Sequence, residues 1–546
     1  MLNLSDVIHR LRERREASPT EGPPVDPIVD QIPVLWAAAV LFLVFAWRIL
    51  SSTWINLIPD ECSYWTWSRR LDWSYFDNAP MVAYLIRLST ALWGESTPIA
   101  VRFVFLVLSF CTTYLVYRTS MLLFGSRPRA VLACAVLNVT PLAVLGGAAA
   151  VHDNALTFFW VLTMWACARW IRSENPQWFY VMGMTAGLAM LSKYTGMLLL
   201  PAIFLFLLRH KSYRGMLASN APWIGALIAV LCALPILWWN YTHEWASLHH
   251  TLFIGAGSDR LVRRLTDGIG YHLAQFGLMS PLVYWAATAA LVVSAVRSRV
   301  RPRVEETLLL CFSFPLLLFG LMAFRGHVEA NWAVMGYPSA IVLAVEVIFS
   351  PRSEPHRLLD RPAQRRYMAW AGALALGMSA LVVLHGRFGL LPAPLEARLG
   401  KADRIVWETR GWDELGRHVG HARRKGDVIA ADSYQMCALL WFNVPGQPGV
   451  RYLAPWKRPA QFDVVEPSFD NLKGRDILFV SATPLEPTSA VKTTVYENFS
   501  SVQELRSFEV MYHGEPIRKI FLYRGRNFDP DSPRKLGPRS LLYRDY

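Results

Sequence analysis

Charge is scarce in this chain. Only 18% of its 546 residues are Asp, Glu, Lys or Arg, against 53% hydrophobic, which excludes an ordinary soluble protein of this size. Cysteine is scarce too. Of seven, five lie inside apolar runs, Cys62 and Cys437 stand alone, and no CxxC or Cys/His spacing occurs. A disulfide framework or a zinc finger therefore has no support. No Gly-rich phosphate loop and no internal repeat is present. The polar, partly Pro-rich residues 1–32 lack a short apolar core ending at a cleavage site, so they read as a cytoplasmic tail, not a signal peptide.

What the chain does have is long apolar runs. About eleven stand near 33–50, 99–124, 129–149, 154–173, 177–191, 193–208, 220–239, 276–296, 306–323, 331–349 and 367–386. Runs of this length cross a hydrocarbon core. The sequence thus predicts a polytopic α-helical membrane protein of about 11 spans over 33–386. From 387 to 546 the chain is polar, with strand-like "DVIAAD", "DILFVSAT" and "RKIFLYRG" around a helical "MCALLWF", which predicts a C-terminal α/β soluble domain.

The formal charge of +14 is distributed as topology, with no nucleic-acid surface. Basic clusters recur between alternate runs: "RLRERR" (11–16), "SRPR" (126–129), "RHKSYR" (209–214), "RSRVRPR" (297–303) and "RPAQRR" (361–366). By the positive-inside rule these segments are cytoplasmic. The other connections then lie outside, and an odd span count puts 387–546 outside with them. Two outer connections, 51–98 and 240–275, are long enough to suggest function.

Five polar clusters fall on that outer side. Asp60-Glu61 opens the first outer loop, where helix capping is the plain alternative. The following "YWTWSRRLDW" puts Tyr64, Trp67 and Leu71 on one helical face, a pattern for a helix lying in the interface. Tyr75 and Asp77 sit in "SYFDNAP", which also reads as an Asx-turn. His152 and Asp153 occupy "VHDNA", and Lys193 and Tyr194 occupy "LSKYTG", where a snorkelling Lys is the plain reading. "FRGHVEANW" holds His327, Glu329 and Asn331. Arg260 and Arg263 break the charge rule on the outer side, which suits an anionic ligand or lipid headgroups equally. Acids, His, Lys and aromatics gathered at one interface suit a ligand with a lipid end and an anionic end.

"IPDECSYWTWSRRLDWSYFDNAP", "HDNA", "LSKYTG" and "HVEANW", in that order over roughly 30–350, resemble the polytopic glycosyltransferases of the GT-C fold. That group includes the aminoarabinose transferase of lipid A, bacterial galacturonosyl transferases and protein O-mannosyltransferases. The resemblance implies a polyprenyl-phosphate sugar as co-substrate, a glycolipid or glycan acceptor, and a multi-pass protein of the bacterial inner membrane with its C-terminal domain periplasmic. It implies Asp60 as general base, with Glu61 supporting it or orienting the loop. Lys193 and an Arg of 260–264 would hold the donor phosphate, and His327 and Glu329 would contact sugar or acceptor. Where this chain has Asp77-Asn78 the aminoarabinose transferase has Glu-Lys, so the sugar's identity does not carry over. A divalent metal at Asp60, Asp77 and a loop His is left open. Protein O-glycosylation, a flippase for lipid-linked sugars and a non-catalytic scaffold are the rival readings. A flippase would show acids buried mid-span and two similar halves, and neither is visible here.

Overall fold

Proline and one strained serine decide where the apolar runs break. The 129–149 run is interrupted at Thr140-Pro141: Pro141 cannot donate to the preceding turn, and the Thr140 hydroxyl accepts from the Ala143 amide at 3.3 Å. Ser280 adopts φ 67° immediately before Pro281, so the expected 276–296 span starts instead at Pro281. The "SKY" break in the sequence becomes a short 3₁₀ turn, Tyr194–Leu198. The computed structural model describes residues 34–254, 261–349, 361–453, 459–485 and 497–531. Arg260 lies outside them.

In chain order the helices begin with α1 (Val34–Trp54), α2 (Pro59–Arg69), α3 (Met81–Trp93), α4 (Pro98–Phe124), α5 (Arg127–Asn138), α6 (Pro141–Gly146), α7 (His152–Ser173) and α8 (Trp178–Ser192). Next come α9 (Leu199–Arg209), α10 (Asn220–Thr242), α11 (Ala246–Ile254), α12 (Leu261–Met279), α13 (Pro281–Val300), α14 (Val304–Met322), α15 (Tyr337–Ile348) and α16 (Arg361–Phe388). Among the described residues, six helices are long and apolar enough to cross a membrane. A seventh candidate joins Ala39–Trp54 to Pro59–Arg69 across a 78° bend. The remaining apolar runs are helical but too short or too polar to meet that test.

The chain divides into two units. The first gathers Met1–Leu50, Phe103–Leu237 and Ile254–Leu381. Its helices meet through small residues and buried polar pairs, as expected where lipid offers no hydrophobic drive for helix association. Gly183 on α8 lies so close to the Gly225 carbonyl on α10 that no side chain fits. The Trp160 indole donates to the Phe312 carbonyl at 3.1 Å, joining α7 to α14. Arg129, part of an expected cytoplasmic charge cluster, is instead buried and pairs with Glu346 of α15 at 2.9 Å.

The second unit gathers Ser51–Arg102, Trp238–Phe253 and Val382–Tyr546. It adds α17 (Ala393–Leu399), α18 (Arg404–Thr409), α19 (Trp412–Ala422), β1 (Val428–Ala431), α20 (Tyr434–Asn443), β2 (Val450–Tyr452), α21 (Gln461–Val465), β3 (Ile477–Ser481), β4 (Phe499–Glu504), β5 (Phe508–Tyr512) and β6 (Glu515–Phe528). The sheet order is β2-β1-β3-β6-β4, with β5 on the first half of β6. β1 is parallel to β2 and β3, with Ile429 opposite Val450 and Leu478. β3 meets β6 antiparallel, pairing Phe479 with Tyr523. The three expected strands are therefore β1, β3 and β6. α2 docks on α20, where Trp65 meets Trp441 and Phe442 edge-on at centroid distances of 6.0 and 5.1 Å.

Breaking a buried ion pair strands a charge and costs about 3–5 kcal/mol, whereas replacing both partners with apolar groups can be neutral. Glu346→Gln should therefore lower thermal stability in detergent more than the Arg129→Met/Glu346→Leu double variant does. Equal or larger loss in the double variant would contradict this.

Candidate active site

α1 ends at Trp54 and the chain bends before α2, which starts with Pro59, a residue whose missing N–H costs nothing at a first helical position. The N-cap is Ile58, so Asp60 does not cap the helix. Glu61 does the capping work, its Oε2 accepting from the Ile58 amide at 3.1 Å. Glu61 is fully buried and gripped by the Arg102 fork, Nε to Oε1 at 2.7 Å and Nη2 to Oε2 at 2.5 Å. Arg102 also donates to the carbonyls of Ser52, Ile55 and Asn56 at 3.1, 2.8 and 3.1 Å. Both Glu61 oxygens thus accept bonds that hold the bend, which suits an orienting role.

Asp60 is in the opposite situation. It is half-buried, beyond the end of α1, and makes no hydrogen bond or ion pair among the described residues. Burial pushes its carboxyl up to about 6, with Glu408 adding to the rise, Arg404 opposing it, and Asp77 and Glu61 adding smaller contributions. A carboxylate with free lone pairs and a pKa near neutrality is matched to proton abstraction. Asp77 stands on the same loop with the His250 ring 3.5 Å from its Oδ1, and His250 lies against Phe76. Tyr75 is buried and stacked on Trp67 at 4.6 Å. Its hydroxyl donates to the Trp67 carbonyl and accepts from the Asp72 amide, each at 3.2 Å.

In the first unit, three of the sequence clusters converge on one carboxylate. Asp153 Oδ1 accepts from Lys193 Nζ at 2.7 Å, and its Oδ2 accepts from Asn331 Nδ2 at 2.9 Å. Asn154, one residue on, ties the Gly146 and Gly147 carbonyls at 3.2 and 3.1 Å. Beside them is a small cavity of about 90 Å³ lined by Arg48, Ser109, Asn138, Asp153 and Asn154. His152 is buried and Tyr194 half-buried. His327 and Glu329 pair with each other at 3.0 Å in the open, and Arg263 is exposed on α12. A larger, mostly apolar cavity of about 360 Å³ runs between α12, α13 and α14, with His272, Gln275, Tyr284 and Tyr337 among its polar lining.

Sequence reading passed over Arg48, Arg102, Glu408 and Arg404. The lone cation in "FAWRIL" was the available signal for Arg48, since a charge inside an apolar span marks function or a buried partner. It donates to Ser109 Oγ at 2.8 Å. Arg102 meets partners 41 to 50 residues away, whereas Arg404 and Glu408 pair with each other at i,i+4 and nothing local ties that pair to Asp60.

The comparisons agree with this architecture. The sequence profile of the dolichyl-phosphate-mannose-protein mannosyltransferases matches residues 77–239. The lipid A galacturonosyltransferase RgtD of Rhizobium johnstonii is 27% identical over 404 residues, 73% of this chain and 80% of RgtD. Crystal structures of ArnT from Cupriavidus metallidurans superpose with a TM-score of 0.58 in the apo state, at 13% identity over 89% of this chain and 97% of ArnT. With undecaprenyl phosphate bound the score is 0.57, at 12% identity over 90% and 98%. The chain therefore has the GT-C glycosyltransferase fold. Six of its described helices are long and apolar enough to cross a membrane, and a sheet lies in its C-terminal region.

The charges around Asp60 yield a sign test. Followed by its carboxyl infrared band, absent in Asp60→Asn, Asp60 should titrate near pH 6. Glu408 raises that value, so Glu408→Gln should move the midpoint to lower pH. Arg404 lowers it, so Arg404→Gln should move it to higher pH. Shifts of the same sign would contradict the assignment.

Proposed function

We propose that this enzyme takes a sugar from a polyprenyl-phosphate donor and passes it, with inversion at the anomeric carbon, to a hydroxyl of a lipopolysaccharide glycolipid, lipid A or core. The observation that carries the reading is the Asp60 carboxylate, half-buried, unpartnered among the described residues and shifted up to about 6. Asp60 is the general base. It removes the acceptor proton as the oxygen attacks the anomeric carbon from the face opposite the phosphate, the geometry that inverting transfer requires. Glu61 orients the loop through Arg102.

Lys193 is the phosphate ligand in this reading. In the structure Asp153 neutralises it, so Asp153 stands where the donor's phosphodiester anion would compete. Developing charge on the leaving phosphate needs such a cation. His327, Glu329, Asn331, Tyr194, His152 and Arg263 belong to the donor and acceptor contacts, and the apolar cavity along α12–α14 suits an isoprenoid chain. Asp77 and His250 are a carboxylate and an imidazole at 3.5 Å, a pair able to ligate a divalent metal. Such an ion would supply Lewis-acid stabilisation of phosphate oxygen.

Orientation follows from charge. Most of the basic clusters fall between alternate apolar runs, which supports a cytoplasmic 1–32 and a periplasmic 387–546. RgtD acts on lipid A and ArnT was crystallised with undecaprenyl phosphate, as their names and titles state, which supports this donor and acceptor. Protein O-glycosylation is the second reading, favoured by the family profile over 77–239.

Mass spectrometry of envelope lipids and proteins, with and without the gene, decides between them. Loss of one sugar mass from lipid A or core is expected. Loss only from proteins would favour the second reading, and no loss from either would sink both. In vitro, Asp60→Asn should retain donor binding and lose about 10²–10⁴-fold in kcat, the usual worth of a general base. Wild-type rate should fall as pH drops through about 6, because protonation removes the base.

A further inference from the structure

A second polar cavity lies in the second unit, away from Asp60. It measures about 260 Å³, and none of Asp60, Glu61 or Asp77 lines it. That is slightly below the range for drug-sized ligands, so it suits something the size of one sugar ring. Its walls are aromatic: Trp67 and Tyr75 from the first loop, Trp441 from α20 and Phe462 from α21. Trp441 and Phe462 are both half-buried, with ring centroids 6.4 Å apart. The C–H face of a pyranose can lie on such rings while its hydroxyls face polar groups.

Those polar groups are cationic in balance. Three arginines, Arg70, Arg451 and Arg475, line the cavity against one acid, Glu466. Glu466 is divided between two of them, Arg70 at 3.2 Å and the buried Arg451. Arg475 is exposed. Its guanidinium donates to the Gly426 carbonyl at 3.0 Å and faces no acid among the described residues. The pocket is therefore short of negative charge. Gln461 supplies the second, independent sign. It is only 5% exposed, and its Oε1 accepts from the Phe76 amide at 2.6 Å. Its amide nitrogen has no partner among the described residues. Gln461 lines the cavity, so this amide can donate to a ligand held there.

We propose that this cavity is an acceptor-side subsite for one anionic sugar of the glycolipid, a phosphate- or carboxylate-bearing ring distinct from the one that receives the transferred sugar. The anion sits between Arg70 and Arg475, where forked guanidinium donors match its oxygens. The ring rests on Trp441 and Phe462, and Gln461 donates to a hydroxyl. Glu466 is the internal counter-ion that the ligand's anion displaces from Arg70. The inference rests on the glycolipid reading of the acceptor.

The test uses the full-length protein in detergent, with tryptophan fluorescence and calorimetry as readouts. The probe is a deacylated glucosamine disaccharide carrying phosphate, compared with its dephosphorylated form, inorganic phosphate and polyprenyl phosphate. The phosphorylated disaccharide should bind, and its dephosphorylated form should bind at least about 10-fold more weakly. Arg70→Gln and Arg475→Gln, both at exposed positions, should each weaken it about 10-fold, the scale of one charge-assisted hydrogen bond. Glu466→Gln should tighten it. Polyprenyl phosphate affinity should be unchanged in all three. In transfer assays the arginine variants should raise the glycolipid KM and leave kcat alone.

Four results would overturn the subsite. These are equal binding of the two disaccharides, no effect of the arginine variants, equal competition by inorganic phosphate, and parallel loss of polyprenyl phosphate binding. Failure of the acceptor reading shows differently, as absent transfer to the glycolipid by the wild-type protein, and the binding arms still decide the cavity.

Discussion

The ion pair of Glu61 with Arg102 is the constraint on which the candidate active site depends. An apolar helix ends at Trp54, and after a break of four residues another begins at a 78° angle. Such a bend leaves carbonyls without helical partners, and at Ser52, Ile55 and Asn56 Arg102 supplies the donors. Its positive charge is buried, so it needs a buried negative one, and Glu61 provides it with both oxygens. The cost of desolvating the two charges is offset by five hydrogen bonds from a single guanidinium. What this arrangement fixes is the first turn of α2, and therefore the direction in which Asp60 points. Two adjacent carboxylates thus have separate environments. One is neutralised by Arg102, and the other has no partner among the described residues and a carboxyl raised to about 6.

A similar division of labour appears around Asp153. Lys193, Asn331 and Asp153 come from three distant segments and meet in one hydrogen-bonded group. Both Asp153 oxygens are engaged, which fixes the three side chains in one arrangement. The neighbouring Asn154 and Arg48 hold the surrounding backbone and helices by neutral and charge-assisted bonds.

Much of the fold was legible, because hydropathy and strand patterning are local signals. Every apolar run is helical, and the three expected strands are three of the six in the sheet. Interruptions were less legible. Thr140-Pro141 and Ser280-Pro281 split runs whose composition reads as continuous, and proline's missing donor is the reason in each case. Arg129 looked like a topological charge but pairs with Glu346, a partner 217 residues away. The same limit applies at the site. The clusters at Asp60, Asp77, Asp153, Lys193 and Asn331 stood out as polar chemistry at helix ends, and the last three do meet. Arg102, Arg404 and Glu408 could not be found from spacing, because what matters about them is long-range contact or charge. Nor could spacing show that Glu61 and Tyr75 are buried with their polar atoms already bonded.

The central claim is transfer of a lipid-linked sugar by direct attack, with Asp60 taking the proton. Its most direct test is the anomeric configuration of the product against that of the donor, read by proton–carbon coupling at the anomeric centre in a single-turnover reaction. A single base and no enzyme nucleophile predict inversion. Retention would require a covalent glycosyl intermediate and would contradict the account.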